Sequence, residues 1–448
     1  MHGGLRALSH FPVSRRLKTT ERIRRAGRFF RRFFSHLLHA HPRAALRELR
    51  AALRRLRLNL RARANARLLR AALADKVAGR RVIVFPPTLD WSLPLFQRPQ
   101  QLARAYSEKE NTLVLYLTAN SAHDRVAVTE EISDTLFLVN AALAPALRQL
   151  LHRARESVLC LSWTVNRRYV DLLRPDRLIY EYIDELEIFD GYDEAMRRDH
   201  RELLRRADLT VCTASALYQK ALPLARRAIL SPNAGDYAFF SRTASAEPAP
   251  EAAAAAAHFS HTLGYYGALA SWFDYALISA AAEARSDWLF LLIGMDYDGT
   301  LPKSGLLHRQ NVLWIPPQPY ERLPSFLKVF DVALIPFVLN EITRSTSPVK
   351  LFEYMAAGKP VLCSRMPECL RYESVASYTN TADFLNKAEV LLRRRGDPVL
   401  ETALRREALE NTWASRTDEI LAALERAKSS ERAAPSYSAR AMKKAVSD

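Results

Sequence analysis

Short apolar runs alternate with helical stretches from residue 81 onward, and these runs fall into two series. Strands are predicted in the first series over RVIVF, TLVLYL, LFLVN, SVLCLS, RLIYEYID and LTVCTAS, and in the second over TLGYYGA, WLFLLIG, NVLWIP, VALIPF and KPVLCS. Such alternation is typical of mainly parallel sheets that carry helices on both faces. The sequence therefore predicts two doubly wound, Rossmann-like α/β domains whose strand ends face a shared cleft.

Changes in composition set the expected domain boundaries. The stretch TASAEPAPEAAAAAAHFSHT is rich in Ala, Pro and Glu, which predicts a linker with a short helix near 249–257. The polar end of the chain predicts a disordered tail. We therefore expect a helical arm over 1–80, a first domain over 81–241, a linker over 242–261, a second domain over 262–400, a closing helix over 401–427 and the tail over 428–448.

Positive charge is concentrated at the N-terminus. The 448 residues include 66 Lys and Arg and 48 Asp and Glu, and residues 1–80 hold 22 of the basic residues but only three of the acids. A basic arm thus precedes a nearly neutral body. The content of 49% hydrophobic and 25% charged residues excludes a wholly disordered or fibrous protein. No run approaches the ~20 apolar residues that span a bilayer, and no signal peptide is expected.

Residues 23–38 (IRRAGRFFRRFFSHLL) predict an amphipathic helix. At 100° per residue, the four Phe and the aliphatic residues fall on one arc, and five Arg fall on the opposite arc. This pattern favours a helix lying in a membrane interface, with its Arg side chains on anionic headgroups. One alternative is docking on the protein's own surface; another is nucleic-acid binding, for which we recognise no module. We expect an anionic membrane surface as the partner of residues 23–38, and no nucleic acid. A second helix is predicted from about Arg43 to Val77.

The stretch DVALIPFVLNEITRSTSPVKLFEYMAAGKPVLCSRMPE carries the strongest chemical signal. A buried strand runs into a hydroxyl-rich loop with Ser345, Thr346 and Ser347, and Pro348 suits the first turn of the next helix. The free N–H groups of that helix would bind a diphosphate, with Lys350 and Arg344 adding positive charge. Glu353 would accept hydrogen bonds from a ribose diol. The alternative interpretation is a structural crossover with a solvated loop.

Arg344–Val361 resembles the donor-site segment of GT-B glycosyltransferases, in the retaining group with two Glu separated by seven residues. The usual ending, Glu-Ala-Met-Ala-x-Gly-x-Pro-Val, is matched from Glu353 to Val361. The variant is similar to bacterial teichuronic-acid and exopolysaccharide enzymes. Further segments resemble the family in the same order along about residues 81–427: QRPQQLARAY, YEYIDELEIF, ADLTVCTASALY, SPNAGDYAFF, GYYGALASWFDYALI and NTWASRTDEI.

This resemblance implies a GT-B fold and a retaining, metal-independent transfer of sugar from a nucleotide-diphosphate sugar to a surface polysaccharide or lipid-linked acceptor. It implies no cofactor, because the helix dipole and basic side chains stabilise the leaving diphosphate. It also implies no protein nucleophile, because the leaving phosphate helps to deprotonate the acceptor. The expected location is cytoplasmic, peripheral on the inner face of the cell membrane, and the four scattered Cys fit a reducing compartment. Two alternatives are a non-catalytic, membrane-bound scaffold and a sugar-nucleotide epimerase.

Residue by residue, the resemblance implies that Glu353 holds the ribose, and that the backbone at Gly267, Ser347 and Pro348 lies near the donor. Two positions depart from the family. The position of the first Glu of the pair is occupied by Ser345, for which Glu341 or Thr343 are possible substitutes. The Arg/Lys pair that the family has after the glycine turn is missing, and the position of its lysine falls near Asp274. The phosphate charge would then come from Lys350, Arg344, Arg98 or the helix N-terminus.

The first domain offers two further candidates. Arg98 precedes a helix and would face the cleft, unless it is a plain surface arginine. Asp184 ends a strand, where active-site groups cluster, unless it caps a helix. Asp296 and Asp298 spell D-x-D but favour a polar loop, so no metal site is expected. The catalytic candidates are Asp184, Arg98 and Lys350, and the donor-binding candidates are Gly267, Arg344, Ser345, Thr346, Ser347, Pro348 and Glu353.

Overall fold

The structure is a computed structural model that describes residues 62–93, 96–188 and 191–433. The predicted helix over 23–38 and residues 434–448 lie outside the described residues. Two β-sheets form the body, and we call the part built on the first sheet the N-domain and the part built on the second sheet the C-domain. No helix within the described residues is both long and apolar enough to span a bilayer.

The N-domain sheet has eight strands in the order β3-β4-β2-β1-β5-β6-β7-β8, and only the β3–β4 pair is antiparallel. Its strands are β1 (Arg81–Phe85), β2 (Thr112–Thr118), β3 (Thr129–Ser133), β4 (Leu136–Asn140), β5 (Glu156–Leu161), β6 (Arg177–Tyr182), β7 (Leu209–Cys212) and β8 (Ala228–Leu230). Its helices are α1 (Ala62–Val77), α2 (Arg98–Ser107), α3 (Ala144–Leu151), α4 (Arg168–Leu173), α5 (Glu194–Arg206), α6 (Ser215–Ala221) and α7 (Tyr237–Phe240), the last of which leads into the C-domain.

The C-domain sheet has six parallel strands in the order β11-β10-β9-β12-β13-β14. Its strands are β9 (His261–Tyr266), β10 (Trp288–Ile293), β11 (Val312–Ile315), β12 (Val332–Ile335), β13 (Val361–Ser364) and β14 (Ala376–Tyr378). Its helices are α8 (Pro250–Ala256), α9 (Tyr275–Ala284), α10 (Leu323–Val329), α11 (Glu341–Arg344), α12 (Val349–Ala356), α13 (Thr381–Arg393), α14 (Pro398–Glu410) and α15 (Trp413–Ala433).

Helices cover both faces of the N-domain sheet, which explains why its central strands are buried along almost their whole length. Every residue of β2 is buried. Leu69 and Leu73 of α1 join the core on one face, whereas Trp413 and Ile420 of α15 join the core on the other. Helix α15, which follows the C-domain in the chain, therefore packs on the N-domain and links the two domains.

The structure confirms two parallel α/β domains and corrects details of the prediction. Three strands were not anticipated: the antiparallel edge strand β3 and the three-residue strands β8 and β14. The predicted linker is part of the C-domain core, because Ala249 and Ala252 are buried there and the Ala249 N–H donates to the Ser325 carbonyl at 3.0 Å. Helix α15 continues to Ala433, into the segment expected to be disordered.

Candidate functional site

The loops at the carboxyl ends of the two sheets meet across the cleft. Glu368, in the loop after β13, accepts a hydrogen bond from the Ser215 N–H at the start of α6, at 2.6 Å. Tyr320, after β11, accepts one from the Gln101 side chain of α2 at 3.5 Å. Ligands of doubly wound folds bind at this end of the strands, so the candidate site lies between these loops.

Two glycines bring the turns after β9 and β10 together. Gly267 has φ +138 and Gly294 has φ +146, both in the region that favours glycine. A Cβ on Gly294 would lie only 1.8 Å from the Gly267 carbonyl oxygen. A Cβ on Gly267 would lie 2.8 Å from the Lys350 Cε. The glycine turn therefore packs directly against the side chain of Lys350.

Lys350 lies in the first turn of α12, beside that glycine turn. Its ammonium is 5.1 Å from the ring centroids of both Tyr265 and Phe337. Burial lowers the pKa of Lys350 to about 8. The contacts that the described residues give this ammonium are these two rings and no ion pair, so its charge is available for an anion next to the backbone N–H groups that begin α12.

The loop before α12 is fixed by the segment that joins the two domains. The Asn233 N–H donates to the Ser347 Oγ at 3.1 Å, and the Asn233 amide donates to the Ser347 carbonyl at 2.6 Å. Pro348 is the N-cap residue of α12, and its side chain makes no capping hydrogen bond. The Thr346 hydroxyl donates to the Ile342 carbonyl at 2.7 Å. Ser347, Thr346 and Pro348 thus shape the approach to the helix N-terminus.

Glu353, in the middle of α12, has a buried carboxylate held by two phenols. The side chain is 4% exposed. Its Oε2 accepts a hydrogen bond from Tyr266 at 2.7 Å, and its Oε1 accepts one from Tyr320 at 3.3 Å. Burial raises the pKa of Glu353 to about 7, and the hydrogen bond from Tyr266 opposes this rise. The two phenols therefore orient the carboxylate, and its raised pKa brings its titration toward the neutral range.

The positions that depart from the family pattern have structural roles. Ser345 ends α11 and is almost completely buried. Asp274 caps α9 by accepting the Leu277 N–H at 2.9 Å. Thr343 is buried and donates to the Val338 carbonyl at 2.6 Å, whereas Arg344 and Glu341 are exposed. None of these side chains takes the place of the missing glutamate or lysine, so Lys350 stands nearest to the glycine turn.

Arg98 does not face an open cleft. It is the first residue of α2 and is 4% exposed. Its Nε donates to the Glu181 carboxylate at 2.5 Å, and its Nη1 donates to the Pro232 carbonyl at 3.1 Å. Because a buried carboxylate already neutralises its charge, Arg98 has a structural role rather than the predicted catalytic one. It braces the segment that joins the two domains.

Asp184 lies two residues beyond β6, at the cleft end of the N-domain sheet. Burial raises the pKa of this half-buried carboxyl to about 7. Within the described residues it makes no hydrogen bond or ion pair, and so it caps no helix there. An unpaired carboxyl at this edge can accept a hydrogen bond from a substrate hydroxyl.

The D-x-D motif forms a turn. Asp296 accepts the Gly299 N–H at 3.0 Å, and Asp298 accepts the Ser271 N–H at 2.8 Å. Within the described residues, no group of three or more His, Cys, Asp or Glu side chains is placed to hold a metal ion.

Three contact residues were not predicted from the sequence: Asn233, Tyr266 and Tyr320. Tyr266 directly precedes Gly267, so its place at the strand end was available as a signal. Asn233 lies in the SPNAGDYAFF segment, which resembles the family but whose sequence indicates no function for this asparagine. Tyr320 had no signal, because only the folded chain brings it to Glu353.

Comparisons with known proteins bear on the fold. Residues 260–394 match the family described as Glycosyl transferases group 1. The chain is similar to sucrose-phosphate synthase from Thermosynechococcus elongatus, at 14% identity and a TM-score of 0.58, over 78% of this chain and 100% of that chain. It is similar to Anabaena HepE, solved in complex with UDP and glucose, at 13% identity and a TM-score of 0.54, over 77% of this chain and 99% of that chain. The chain has the GT-B fold.

A curated relative adds a likeness in sequence. The GT-B chain is 27% identical over 221 residues to a Bacillus subtilis (strain 168) protein named as a teichuronic acid biosynthesis glycosyltransferase, TuaH. The aligned part covers 47% of this chain and spans about half, 55%, of that relative. The predicted resemblance to GT-B glycosyltransferases and to bacterial teichuronic-acid enzymes is thereby confirmed.

Proposed function

We propose that the chain transfers a sugar from a nucleotide-diphosphate sugar to a surface polysaccharide or lipid-linked acceptor. The observation that carries this proposal is the Lys350 ammonium, which has no ion pair in the part of the chain that the structure describes and lies between the glycine turn and the N-terminus of α12. Cation, helix N-terminus and close-approaching backbone together make an anion site suited to a diphosphate. The match over residues 260–394 covers all of these elements.

In the proposed donor complex, the diphosphate lies on the start of α12 and the ribose hydroxyls bind Glu353. UDP is the first nucleotide to test, because HepE was solved with UDP and glucose. Transfer breaks the bond between the sugar C1 and the phosphate oxygen and forms one from C1 to the acceptor oxygen on the same face. The acceptor proton moves to the leaving phosphate, whose charge Lys350 stabilises.

Asp184 is proposed to orient the acceptor, since its carboxyl has no partner within the described residues and lies at the N-domain side of the cleft. Retention and metal independence are proposals with direct tests. Proton NMR of the product formed from an α-linked donor should show an α-linkage, and excess EDTA should leave the rate unchanged. A β-linked product would overturn retention, and loss of activity with EDTA that Mg²⁺ restores would overturn metal independence.

Activity itself is tested by incubating the full-length protein with UDP-glucose and a membrane lipid extract. We expect a labelled product with the wild type and at least a hundredfold loss with Lys350→Met. A wild type that binds nucleoside diphosphates but forms no product with any donor would favour the scaffold, and a soluble product formed from nucleotide sugar alone would favour the epimerase.

We further propose that the chain lies on the cytoplasmic, anionic face of the cell membrane through residues 23–38. The aromatic and arginine faces of that sequence support the proposal. Vesicles with anionic lipid should co-sediment the full chain, and neutral vesicles should not. Changing Phe29, Phe30, Phe33 and Phe34 together to Ser should abolish binding, whereas binding that survives in high salt without these rings would contradict it.

A further inference from the structure

Two tyrosines from different elements share one carboxylate in the C-domain. Tyr266 is the last residue of β9, and Tyr320 lies in the loop after β11. Each donates its hydroxyl to a different oxygen of Glu353, Tyr266 at 2.7 Å to Oε2 and Tyr320 at 3.3 Å to Oε1. The two hydrogen bonds differ in length, and the two side chains differ in how firmly they are held.

Tyr266 is fixed within the C-domain core. Its side chain is buried, and its N–H donates to the Tyr354 hydroxyl at 3.0 Å. Its ring packs edge-on against Tyr354 at 4.8 Å between centroids. Because β9 is a central strand of the sheet, Tyr266 cannot leave Glu353 without disturbing the core. Its hydroxyl is a permanent partner of Oε2.

Tyr320 lies at the boundary between the domains, where aromatic side chains contact its ring. Its ring stacks on Phe239 of α7 at 5.3 Å, and Phe96 of the N-domain lies 6.4 Å away. Among the described residues, its hydroxyl makes two long hydrogen bonds, one to Glu353 and one from Gln101 at 3.5 Å. The side chain is half-buried, in a loop whose prolines are exposed. Of the two phenols, this hydroxyl is the one that a ligand can replace.

We propose that Tyr266 is a positioning residue that keeps Oε2 of Glu353 occupied and aimed, and that Tyr320 covers Oε1 until a ribose hydroxyl of the nucleotide replaces it. This inference rests on the proposed function, because it assumes that Glu353 binds the ribose. It assigns opposite effects to two phenols on one carboxylate. Loss of the Tyr266 hydroxyl should weaken nucleotide binding, and loss of the Tyr320 hydroxyl should strengthen it.

Protonation gives Tyr266 a readout beyond affinity. Among the described residues, the charged or titratable groups that act most strongly on Glu353 are Tyr266, Tyr320, the Lys350 ammonium and the Asp236 carboxylate, and the neighbouring Tyr354 also interacts with it. Burial raises the pKa of Glu353 to about 7, and the Tyr266 hydroxyl stabilises the charged form. Without that hydroxyl the pKa rises further. Nucleotide affinity in Tyr266→Phe should then recover at a higher pH than in the wild type.

The test measures UDP dissociation constants by calorimetry for the full-length protein and single variants at pH 6.5 and 7.5. Tyr266→Phe should weaken binding about tenfold at pH 7.5, and more at pH 6.5. Tyr320→Phe should tighten binding by roughly two- to fivefold. The matched control Tyr378→Phe, which removes a buried phenol from β14, should bind as the wild type does.

A second nucleotide separates ribose competition from a general loosening of the loop. With 2′,3′-dideoxy-UDP, no ribose hydroxyl can replace Tyr320, so the gain in Tyr320→Phe should vanish. Equal gains with both nucleotides, or effects of the same sign in the two variants, would overturn the inference while leaving the proposed function intact. If Tyr266→Phe does not fold, Tyr320→Phe with the two nucleotides decides alone.

Failure of the proposed function gives a different pattern. If the wild type binds none of UDP, GDP, ADP and dTDP, the ribose site does not exist, and both proposals fall together. If UDP binds the wild type and Glu353→Gln with equal affinity, nucleotide binding stands but Glu353 is not its partner, and the inference about the two phenols is overturned.

Discussion

At the scale of single residues, a charged side chain is a candidate for ligand binding when the protein itself supplies no partner for its charge. A charged side chain that already has partners within the protein has a structural role. Lys359 and Lys350 are both half-buried, and burial lowers the pKa of each to about 8. The Lys359 ammonium donates to the carbonyls of Lys328 and Phe330 at 3.0 and 2.7 Å. Lys350 contacts aromatic faces and a glycine turn instead, and this difference leaves Lys350 for an anion.

Lys350→Met should therefore weaken nucleoside diphosphate binding at least about tenfold, because it removes the one cation next to the glycine turn among the described residues. In the wild type, affinity should fall as the pH rises through about 8, where the free ammonium loses its proton. Isothermal calorimetry at pH 7 and 9 measures both effects. A variant with wild-type affinity, or one that keeps the same pH step, would contradict this role.

The two glycines should respond differently to alanine. Gly294→Ala places its Cβ 1.8 Å from a backbone oxygen that cannot turn away, so we expect a loss of at least about 2 kcal/mol in the free energy of unfolding. Gly267→Ala also strains the backbone at φ +138, but its Cβ meets mainly the Lys350 side chain, which can move, so we expect a smaller loss of stability than in Gly294→Ala together with a loss of nucleotide affinity. Urea denaturation and calorimetry separate the two. Equal stability loss in both variants would disagree with this packing.

At the scale of elements, the loops after β1 and β2 are joined by reciprocal hydrogen bonds, in which a carboxylate of each loop accepts backbone N–H groups of the other. Asp90 accepts backbone N–H groups of Ala122 and His123 at 2.7 and 2.9 Å. In return, Asp124 accepts the N–H of Trp91 at 2.7 Å. Both carboxylates are buried. This exchange fixes the N-domain side of the cleft, where the proposed acceptor binds.

Asp90→Asn should cost at least about 2 kcal/mol of stability at pH 7, because buried N–H groups lose a charged acceptor. Burial alone would raise the pKa of Asp90, but the backbone hydrogen bonds together have the larger effect and lower this pKa below its ordinary value. The stabilisation is thus present above the unfolded pKa and is lost as the pH falls through the folded pKa.

Urea denaturation should accordingly show the gap between wild type and Asp90→Asn closing as the pH falls from 5 toward 3. The matched control is Asp134→Asn, an exposed aspartate of the same domain, which should match the wild type throughout. A gap that stays constant with pH would mean that the charge of Asp90 is not the source of the stability.

At the scale of the whole molecule, the alternation of strands and helices was enough to predict two parallel α/β domains. Short elements escaped prediction because β8 and β14 have only three residues and no extended apolar run. The predicted linker turned out to be core because alanine gives no sign of whether it is buried or exposed.

The candidate site was predicted in part, for reasons of sequence distance. Lys350 and Glu353 lie within one recognisable motif, so their common helix was foreseeable. Arg98 was misplaced because its partner Glu181 lies 83 residues away, and no local pattern reveals that pairing. The pairing of Glu353 with Tyr266 and Tyr320 likewise exists only in the folded chain.

The central claim, that the C-domain binds a nucleoside diphosphate at the start of α12, is tested most directly by thermal unfolding of the full-length protein with UDP, GDP, ADP and dTDP. A bound diphosphate at about 100 times its dissociation constant adds roughly 2.7 kcal/mol of stability. We predict that one of the four raises the unfolding temperature of the wild type, and that Lys350→Met at the same ligand concentration loses about half of this shift or more. No shift with any of the four, or an equal shift in Lys350→Met, would contradict the account.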